Sequence, residues 1–126
     1  MPQISPDTIN AVLEQLKFNA DGLVPAIAQD ADSLEILMMA WQNKEAVRAS
    51  LTEQAGIYFS RSRQQLWRKG ESSGNMQQLI AYRFDCDKDC VVMLVKQTGA
   101  ACHTNRRTCF FNEVQSDKIS IIFEPL

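Results

Sequence analysis

The stretch 57–69 (IYFSRSRQQLWRK) decides the fold, because it opens a second half of the chain that is rich in strand-forming residues. Aromatic and β-branched residues favour strands, so the runs 57–63 and 66–69 predict the two arms of a β-hairpin. The glycine- and serine-rich run 70–74 (GESSG) predicts a loop after the hairpin. Further strands are predicted over 76–87, 90–97 and 119–123.

The first half predicts two short helices around a pair of strands. Ser5 followed by Pro6 is typical of a helix start, with serine as the N-cap and proline at the first helical position. The turn-forming run 19–22 (NADG) ends this helix. Asn43 predicts the start of a second helix. The strands between the helices are predicted over 23–29 and 34–41, and the apolar face of the second helix carries Ala46, Val47 and Leu51.

These elements predict a single α+β domain, residues 1–126, with a mostly antiparallel sheet. A chain of 126 residues can bury one moderate core, and its hydrophobic fraction of 45% is ordinary for a globular protein. With 13 basic and 15 acidic residues the net charge is −2, which gives no general attraction to nucleic acid or to an anionic membrane.

The expected location is the cytoplasm. No apolar run approaches the roughly 20 residues that span a bilayer, and the start of the chain, 1–6 (MPQISP), lacks the basic and apolar regions of a secretory signal. In a reducing compartment the four cysteines are expected to be metal ligands or reactive thiols rather than disulfides.

An acidic cluster has two interpretations from the residues, a solvated acidic turn or a site for a hard cation. In an extended segment side chains alternate between faces, so Asp85, Asp87 and Asp89 would share one face, with Cys86 and Cys90 on the other. Three carboxylates on one face repel each other unless a cation such as magnesium or calcium lies among them.

The cysteines predict a second, softer metal site. Cys102 and Cys109 are separated by six residues, and the spacing alone does not decide whether Cys86 or Cys90 joins them. Cys90 begins an apolar strand, so we expect it in the core and take Cys86 as the third ligand. Three protein ligands with one open position are typical of catalytic zinc. His103 is a fourth ligand, a proton shuttle or a surface residue.

Basic side chains and a serine-rich loop suggest binding of phosphate groups. Arginine forks match phosphate oxygens, and exposed loop amides and hydroxyls form anion-binding nests. The candidate substrate-binding residues are Arg61, Arg63, Arg68, Lys69, Ser72, Ser73, Arg106 and Arg107. Arg61 and Arg63 are expected to share one face of a strand.

Across about 22–111 the chain resembles the phosphoribosyl-AMP cyclohydrolase family. Four positions depart from the common pattern of that family. Lys88 stands where small or polar residues are usual, Cys90 where apolar residues are usual, Asn75 where many members carry histidine, and Asn105 where glycine is usual. Asparagine tolerates the left-handed backbone that glycine would adopt, so we expect the turn at Asn105 to be kept. The segments that carry the resemblance are 22–27 (GLVPAI), 37–41 (LMMAW), 60–63 (SRSR), 66–74 (LWRKGESSG), 85–89 (DCDKD) and 102–110 (CHTNRRTCF).

The resemblance implies hydrolytic opening of the adenine ring of 1-(5-phosphoribosyl)-AMP, at the N1–C6 bond, by a zinc-activated water in the third step of histidine biosynthesis. It implies that Cys86, Cys102 and Cys109 bind Zn²⁺, and that Asp85, Asp87 and Asp89 bind Mg²⁺. It also implies a homodimer whose chains share the metal ligands. His103 is our candidate for moving the proton.

Two other interpretations remain open from the residues. One is a small binding module with a closed structural zinc site, formed by Cys86, Cys90, Cys102 and either Cys109 or His103, whose basic hairpin binds RNA or a protein. The acidic balance of the chain counts against nucleic acid. The other is a thiol enzyme that uses Cys102 with His103, although adjacent residues seldom direct their side chains to one atom.

Overall fold

The computed structural model describes residues 2–126. A helix, two strands, a second helix and six further strands follow one another in the order predicted for an α+β domain. Neither helix of the described residues is long and apolar enough to cross a membrane. The elements are α1 (Pro6–Gln15), β1 (Val24–Asp30), β2 (Ile36–Gln42), α2 (Lys44–Glu53), β3 (Ile57–Ser60), β4 (Gln65–Arg68), β5 (Gln77–Phe84), β6 (Val91–Gln97), β7 (Asn112–Gln115) and β8 (Lys118–Ile121).

Both predicted helix caps are confirmed. The Ser5 hydroxyl accepts a hydrogen bond from the Thr8 amide at 3.2 Å, and the Asn43 side chain accepts one from the Ala46 amide at 2.8 Å. Each cap satisfies an amide that the first turn of a helix leaves without a partner. Helix α1 ends at Gln15, four residues before the NADG turn that was predicted to end it.

A four-stranded sheet in the order β2-β1-β6-β5 forms the centre of the molecule. Its outer pairs are antiparallel, as predicted, and the central pair β1–β6 is parallel. The side chains of β1 alternate between buried and half-buried, which shows that one face of the strand is directed into the core. Apolar residues of α1, α2 and β3 complete that core, with Tyr58 among its largest fully buried side chains.

The predicted hairpin is present, but its arms are shorter than expected. Strand β3 pairs with β4 only as far as Ser60, and Arg61 and Arg63 lie in the turn that joins the two strands. The prediction that both arginines share a strand face is therefore wrong. The Ser60 hydroxyl accepts the Arg63 amide at 3.2 Å, and Gln64 adopts a left-handed backbone, so local turn bonds replace the strand ladder.

The segment 85–90 is also a turn rather than the predicted extended strand. Strand β5 ends at Phe84, and one carboxylate oxygen of Asp85 accepts the amides of Asp89 at 3.0 Å and Cys90 at 3.3 Å. Lys88 takes a left-handed backbone within this turn. Cys90 is half-buried rather than part of the core, which corrects its predicted placement.

The last hairpin was only half predicted. Strand β8 lies within two residues of the predicted run 119–123, but its partner β7 was not predicted. Ser116 and Asp117 both adopt left-handed backbones in the turn between these strands. The sequence of β7 (NEVQ) has one strand-forming residue among polar ones, so propensity alone does not identify it.

Candidate functional site

The loop that follows β6 brings together Cys102 and Cys109, two of the three predicted zinc ligands. The Cys102 amide donates to the Arg106 carbonyl at 3.0 Å, and the Cys109 amide donates to the Leu37 carbonyl of β2 at 2.7 Å. Asn105 has φ of 64°, which confirms that asparagine keeps the left-handed turn between the two cysteines. Backbone hydrogen bonds therefore hold both thiol-bearing residues in place.

The two thiols are close enough to change each other's ionisation. Desolvation opposes ionisation of Cys102, but hydrogen bonds from Thr104 and the Cys109 thiol outweigh it and lower the pKa of Cys102. Desolvation, followed by the interaction with Cys102, raises the pKa of Cys109 to about 11. Cys102 is thus the first of the pair to ionise, and a bound cation would favour loss of the second proton.

Lys69 lies beside this thiol pair. Desolvation of its half-buried ammonium group lowers the pKa of Lys69, while the nearby charges of Cys109 and Cys102 oppose that change. Lys69 was predicted to bind phosphate, and the structure also places it near the thiols of Cys102 and Cys109. A cation at this position offsets part of the negative charge that two thiolates would create.

A buried chain of glutamines, which the sequence analysis missed, fastens the same region to the core. The Tyr58 hydroxyl donates to Gln77 at 2.7 Å, and the Gln77 amide donates to Gln97 at 2.9 Å. Gln97 then donates to the carbonyls of Asn75 at 3.2 Å and Ala100 at 3.4 Å. The signal available in the sequence was a polar residue in phase with apolar ones on each strand, Gln77 two residues before Leu79 and Gln97 two residues after Val95.

Asp85, Asp87 and Asp89 come together, although the turn achieves this rather than strand alternation. One carboxylate oxygen from each lies within 4.8 Å of the others, so the exposed trio could hold a metal ion. Desolvation and the charges of Asp85 and Asp87 raise the pKa of Asp89. That electrostatic conflict would be relieved by a cation bound by the three oxygens.

Within one chain, Cys86 is separated from the other two cysteines. It is exposed in the turn between β5 and β6, whereas the loop of Cys102 and Cys109 follows the far end of β6 and is bonded to β2. Three strand spacings, about 14 Å, separate β5 from β2. Among residues 2–126, no metal-ligand cluster combines Cys86 with Cys102 and Cys109.

A polar cleft of about 520 Å³ lies along the β3–β4 hairpin and the loop after it. Gly70 makes the loop possible: its φ is +86°, and a side chain there would lie 2.6 Å from the backbone at Met76. Arg68 forms an ion pair with Glu53. Five of the predicted substrate-binding residues line the cleft, namely Arg63, Arg68, Lys69, Ser72 and Ser73.

The other three predicted arginines have contacts outside this cleft. Arg61 lies over the Trp41 ring at 5.0 Å. Arg106 lies over the Phe111 ring at 4.1 Å and donates to the Phe123 carbonyl at 2.7 Å. Arg107 is ion-paired. The predicted basic residues therefore do not form one cluster: three line the cleft, and three make contacts elsewhere.

His103, the predicted proton carrier, is exposed in the turn directly after Cys102, which is buried. The proton-carrier role of His103 remains a prediction.

Comparison with known proteins identifies the family. The phosphoribosyl-AMP cyclohydrolase family model matches residues 38–111. This chain belongs to that family. A protein of that name from Paracoccus denitrificans is 56% identical over 87% of this chain and 91% of its own length. One from Rhodospirillum rubrum is 55% identical over 92% of this chain and 82% of its own length.

The region shared with the phosphoribosyl-AMP cyclohydrolase family contains the aspartate trio, the loop of Cys102 and Cys109, and the cleft. The match runs from β2 through the loop of Cys102 and Cys109 to the residue before β7. A relative named phosphoribosyl-AMP cyclohydrolase 2, from Pseudomonas fluorescens, is 51% identical over 94% of this chain and 80% of its own length. The hairpin β7–β8 lies outside the matched region.

Proposed function

We propose that the chain hydrolyses 1-(5-phosphoribosyl)-AMP, opening its adenine ring at the N1–C6 bond in a step of histidine biosynthesis. Family membership supports the reaction. The single observation that carries the proposal is the pairing of Cys102 and Cys109 beside Lys69, which also lines the polar cleft. A pair of metal ligands thus adjoins a cleft suited to a phosphorylated nucleotide.

The cleft residues bind the phosphate groups in this scheme. Arg63 and Lys69 supply positive charge, and Ser72 and Ser73 supply hydroxyls on a loop with exposed amides. Arg68 is already paired with Glu53, so it contributes less net charge. We therefore assign phosphate binding first to Arg63 and Lys69.

Zinc is the metal that fits the thiol pair, because thiolates select a borderline-soft cation. The raised pKa of Cys109 fits as well, since a cation bound by both sulfurs would replace its proton. When bound with one position open, zinc supplies an activated water for hydrolysis. Lys69 offsets the thiolate charge, and His103 carries a proton between the reacting atoms and solvent.

The third zinc ligand, Cys86, is proposed to come from a second copy of the chain. The separation of Cys86 from Cys102 and Cys109 within one chain supports this arrangement. A two-fold symmetric dimer contains each interface contact twice, so two complete sites would form together. The Asp85, Asp87 and Asp89 trio, next to Cys86, would then bring Mg²⁺ near the same substrate.

Ring opening can be followed directly. Metal-loaded protein is incubated with phosphoribosyl-AMP, and the ultraviolet absorbance change of the purine is recorded. Cys109→Ser is expected to lower turnover by more than about 100-fold, because even groups that only support a metal ligand cost 10–100-fold. Absence of ring opening by the wild-type protein would refute the proposed function.

A matched control separates ligand loss from a general effect of removing a thiol. Cys90→Ser changes a half-buried cysteine that is not assigned to zinc, so it should keep most activity and the full zinc content. Full zinc content with normal turnover in Cys109→Ser would contradict the assigned ligand set. A cytoplasmic location remains part of the proposal.

The binding-module alternative is less well supported. Its closed site needs Cys86 and Cys90 to meet Cys102 and either Cys109 or His103, so it too would require a second copy of the chain. The family relation favours an enzyme.

A further inference from the structure

Arg107 was predicted to bind phosphate, but its side chain is turned toward two carboxylates. Its Nη2 atom lies 2.8 Å from an oxygen of Asp30, and its Nε atom lies 3.0 Å from an oxygen of Glu35. These two nitrogens form one edge of the guanidinium fork, the edge that would hold a phosphate in two bonds. The group of one arginine and two carboxylates has a net charge of −1, which repels an anionic substrate.

Asp30 is held in place to receive this arginine. Asp30 is only 5% exposed. Its second carboxylate oxygen accepts hydrogen bonds from the Ser33 amide at 2.9 Å, the Ser33 hydroxyl at 3.1 Å and the Asp32 amide at 3.2 Å. A buried carboxylate with its oxygens already satisfied on one side is a fixed point for a charged partner.

Neighbouring bonds fasten the same loop along β2. The Arg107 carbonyl accepts the Ala101 amide at 3.1 Å. The Thr108 hydroxyl donates to the Ile36 carbonyl at 2.7 Å, and the Cys109 amide donates to the Leu37 carbonyl at 2.7 Å. Arg107 adds ion pairs to these hydrogen bonds, and it lies between Cys102 and Cys109 in the sequence.

We propose that Arg107 is a positioning residue that, through Asp30 and Glu35, clamps the 102–109 loop so that Cys102 and Cys109 present their sulfurs to one metal ion. This inference rests on the proposed function for the identity of that ion. A clamped loop lowers the ordering cost of metal binding, because the thiols are already in place before the metal arrives. The clamp acts through the two thiols and makes no contact with substrate.

Zinc affinity and Michaelis constants distinguish the clamp from phosphate binding. Asp30→Asn and Arg107→Gln are compared with Arg63→Gln, the same arginine change made in the cleft. The clamp variants should bind zinc about 10–100-fold more weakly in a chelator competition, with KM for phosphoribosyl-AMP little changed in zinc-saturated protein. Arg63→Gln should raise KM and leave zinc affinity unchanged. A raised KM with normal zinc affinity in Arg107→Gln would overturn the proposal.

A second readout needs neither zinc nor turnover. In metal-free protein, labelling of the buried Cys102 by a thiol reagent, assigned by mass spectrometry, should be about ten-fold faster in Asp30→Asn, because loss of a charge-assisted bond favours local opening. Thermal unfolding shows whether each variant is folded, and Glu35→Gln serves as the milder variant because Glu35 is more exposed. Unchanged labelling in both variants overturns the clamp. If wild-type protein binds no zinc, the proposed function fails, and the labelling result still decides the clamp.

Discussion

The Asp85–Cys90 turn and the Cys102–Cys109 loop belong to the same proposed site, yet different contacts hold them in the fold. The turn is exposed and is held mainly by its own bonds to Asp85, with one bond from outside, the Lys17 amide donating to the Lys88 carbonyl at 2.7 Å. The loop is fastened to β2, to Asp30 at the end of β1 and to Glu35 just before β2, and the buried glutamine chain reaches Ala100 just before the loop. The comparison teaches that one chain holds two of the proposed zinc ligands firmly and carries the third at a distance from them.

The largest effect is expected from cutting the buried link to the loop. Gln97→Leu removes the donors to the Asn75 and Ala100 carbonyls and the acceptor for Gln77, and each buried group left unpaired costs about 1–3 kcal/mol. We expect a loss of at least about 2 kcal/mol in denaturant unfolding. Hydrogen exchange should quicken at residues 98–102 more than at 85–90.

Gln78→Leu is the matched control for Gln97→Leu, because Gln78 is an exposed glutamine in the adjacent strand. It should change stability by less than about 0.5 kcal/mol. If Gln97→Leu increased hydrogen exchange equally at residues 98–102 and 85–90, the two segments would not be held independently.

A smaller effect is expected from the charge of Asp30. Hydrogen bonds from Ser33, chiefly its backbone amide, outweigh desolvation and, with the Arg107 charge, hold the pKa of Asp30 below its ordinary value of 3.8. A lowered folded-state pKa stabilises the protein above the unfolded value, and this stabilisation is lost as pH falls through the folded-state pKa. Wild-type unfolding free energy should therefore fall below about pH 4 more steeply than that of Asp30→Asn. Parallel pH curves for the two proteins would contradict this role.

The smallest effect compares a left-handed residue in each region. Lys88 has φ of 63° in the acidic turn, and Asn105 has φ of 64° in the loop. A lysine in this conformation costs roughly 1 kcal/mol, whereas asparagine tolerates it and here also donates to the Leu126 carbonyl at 2.9 Å. Lys88→Gly should raise thermal stability slightly, and Asn105→Gly should not. The reverse order would be the contradicting result.

The parts of the molecule that depend on local sequence were predictable. Ser5 and Asn43 cap helices because each side chain satisfies an amide three residues away, and the hairpin of residues 57–69 follows from its strand-forming residues. The left-handed turn at Asn105 was also predictable, because it depends mainly on one residue.

The parts of the molecule that depend on residues distant in sequence were not predictable. Arg107 looks like a phosphate ligand in sequence, and only the fold brings it to Asp30, 77 residues away. The aspartate trio shows a different failure: the residues converge as predicted, but through a turn closed by Asp85 rather than through strand alternation. Likewise, the distance of Cys86 from Cys102 depends on the strand order, which local patterns do not determine.

The central claim, that two chains complete each zinc site, is tested most directly by mixing two inactive variants. Cys86→Ser and Cys109→Ser are each prepared, mixed in equal amounts and allowed to exchange subunits with zinc present. Half of the dimers would be mixed, and each mixed dimer would hold one intact site of two, so turnover should recover to about a quarter of the wild-type value. Recovery no greater than the sum of the two separate variants, with subunit exchange verified, would contradict the account.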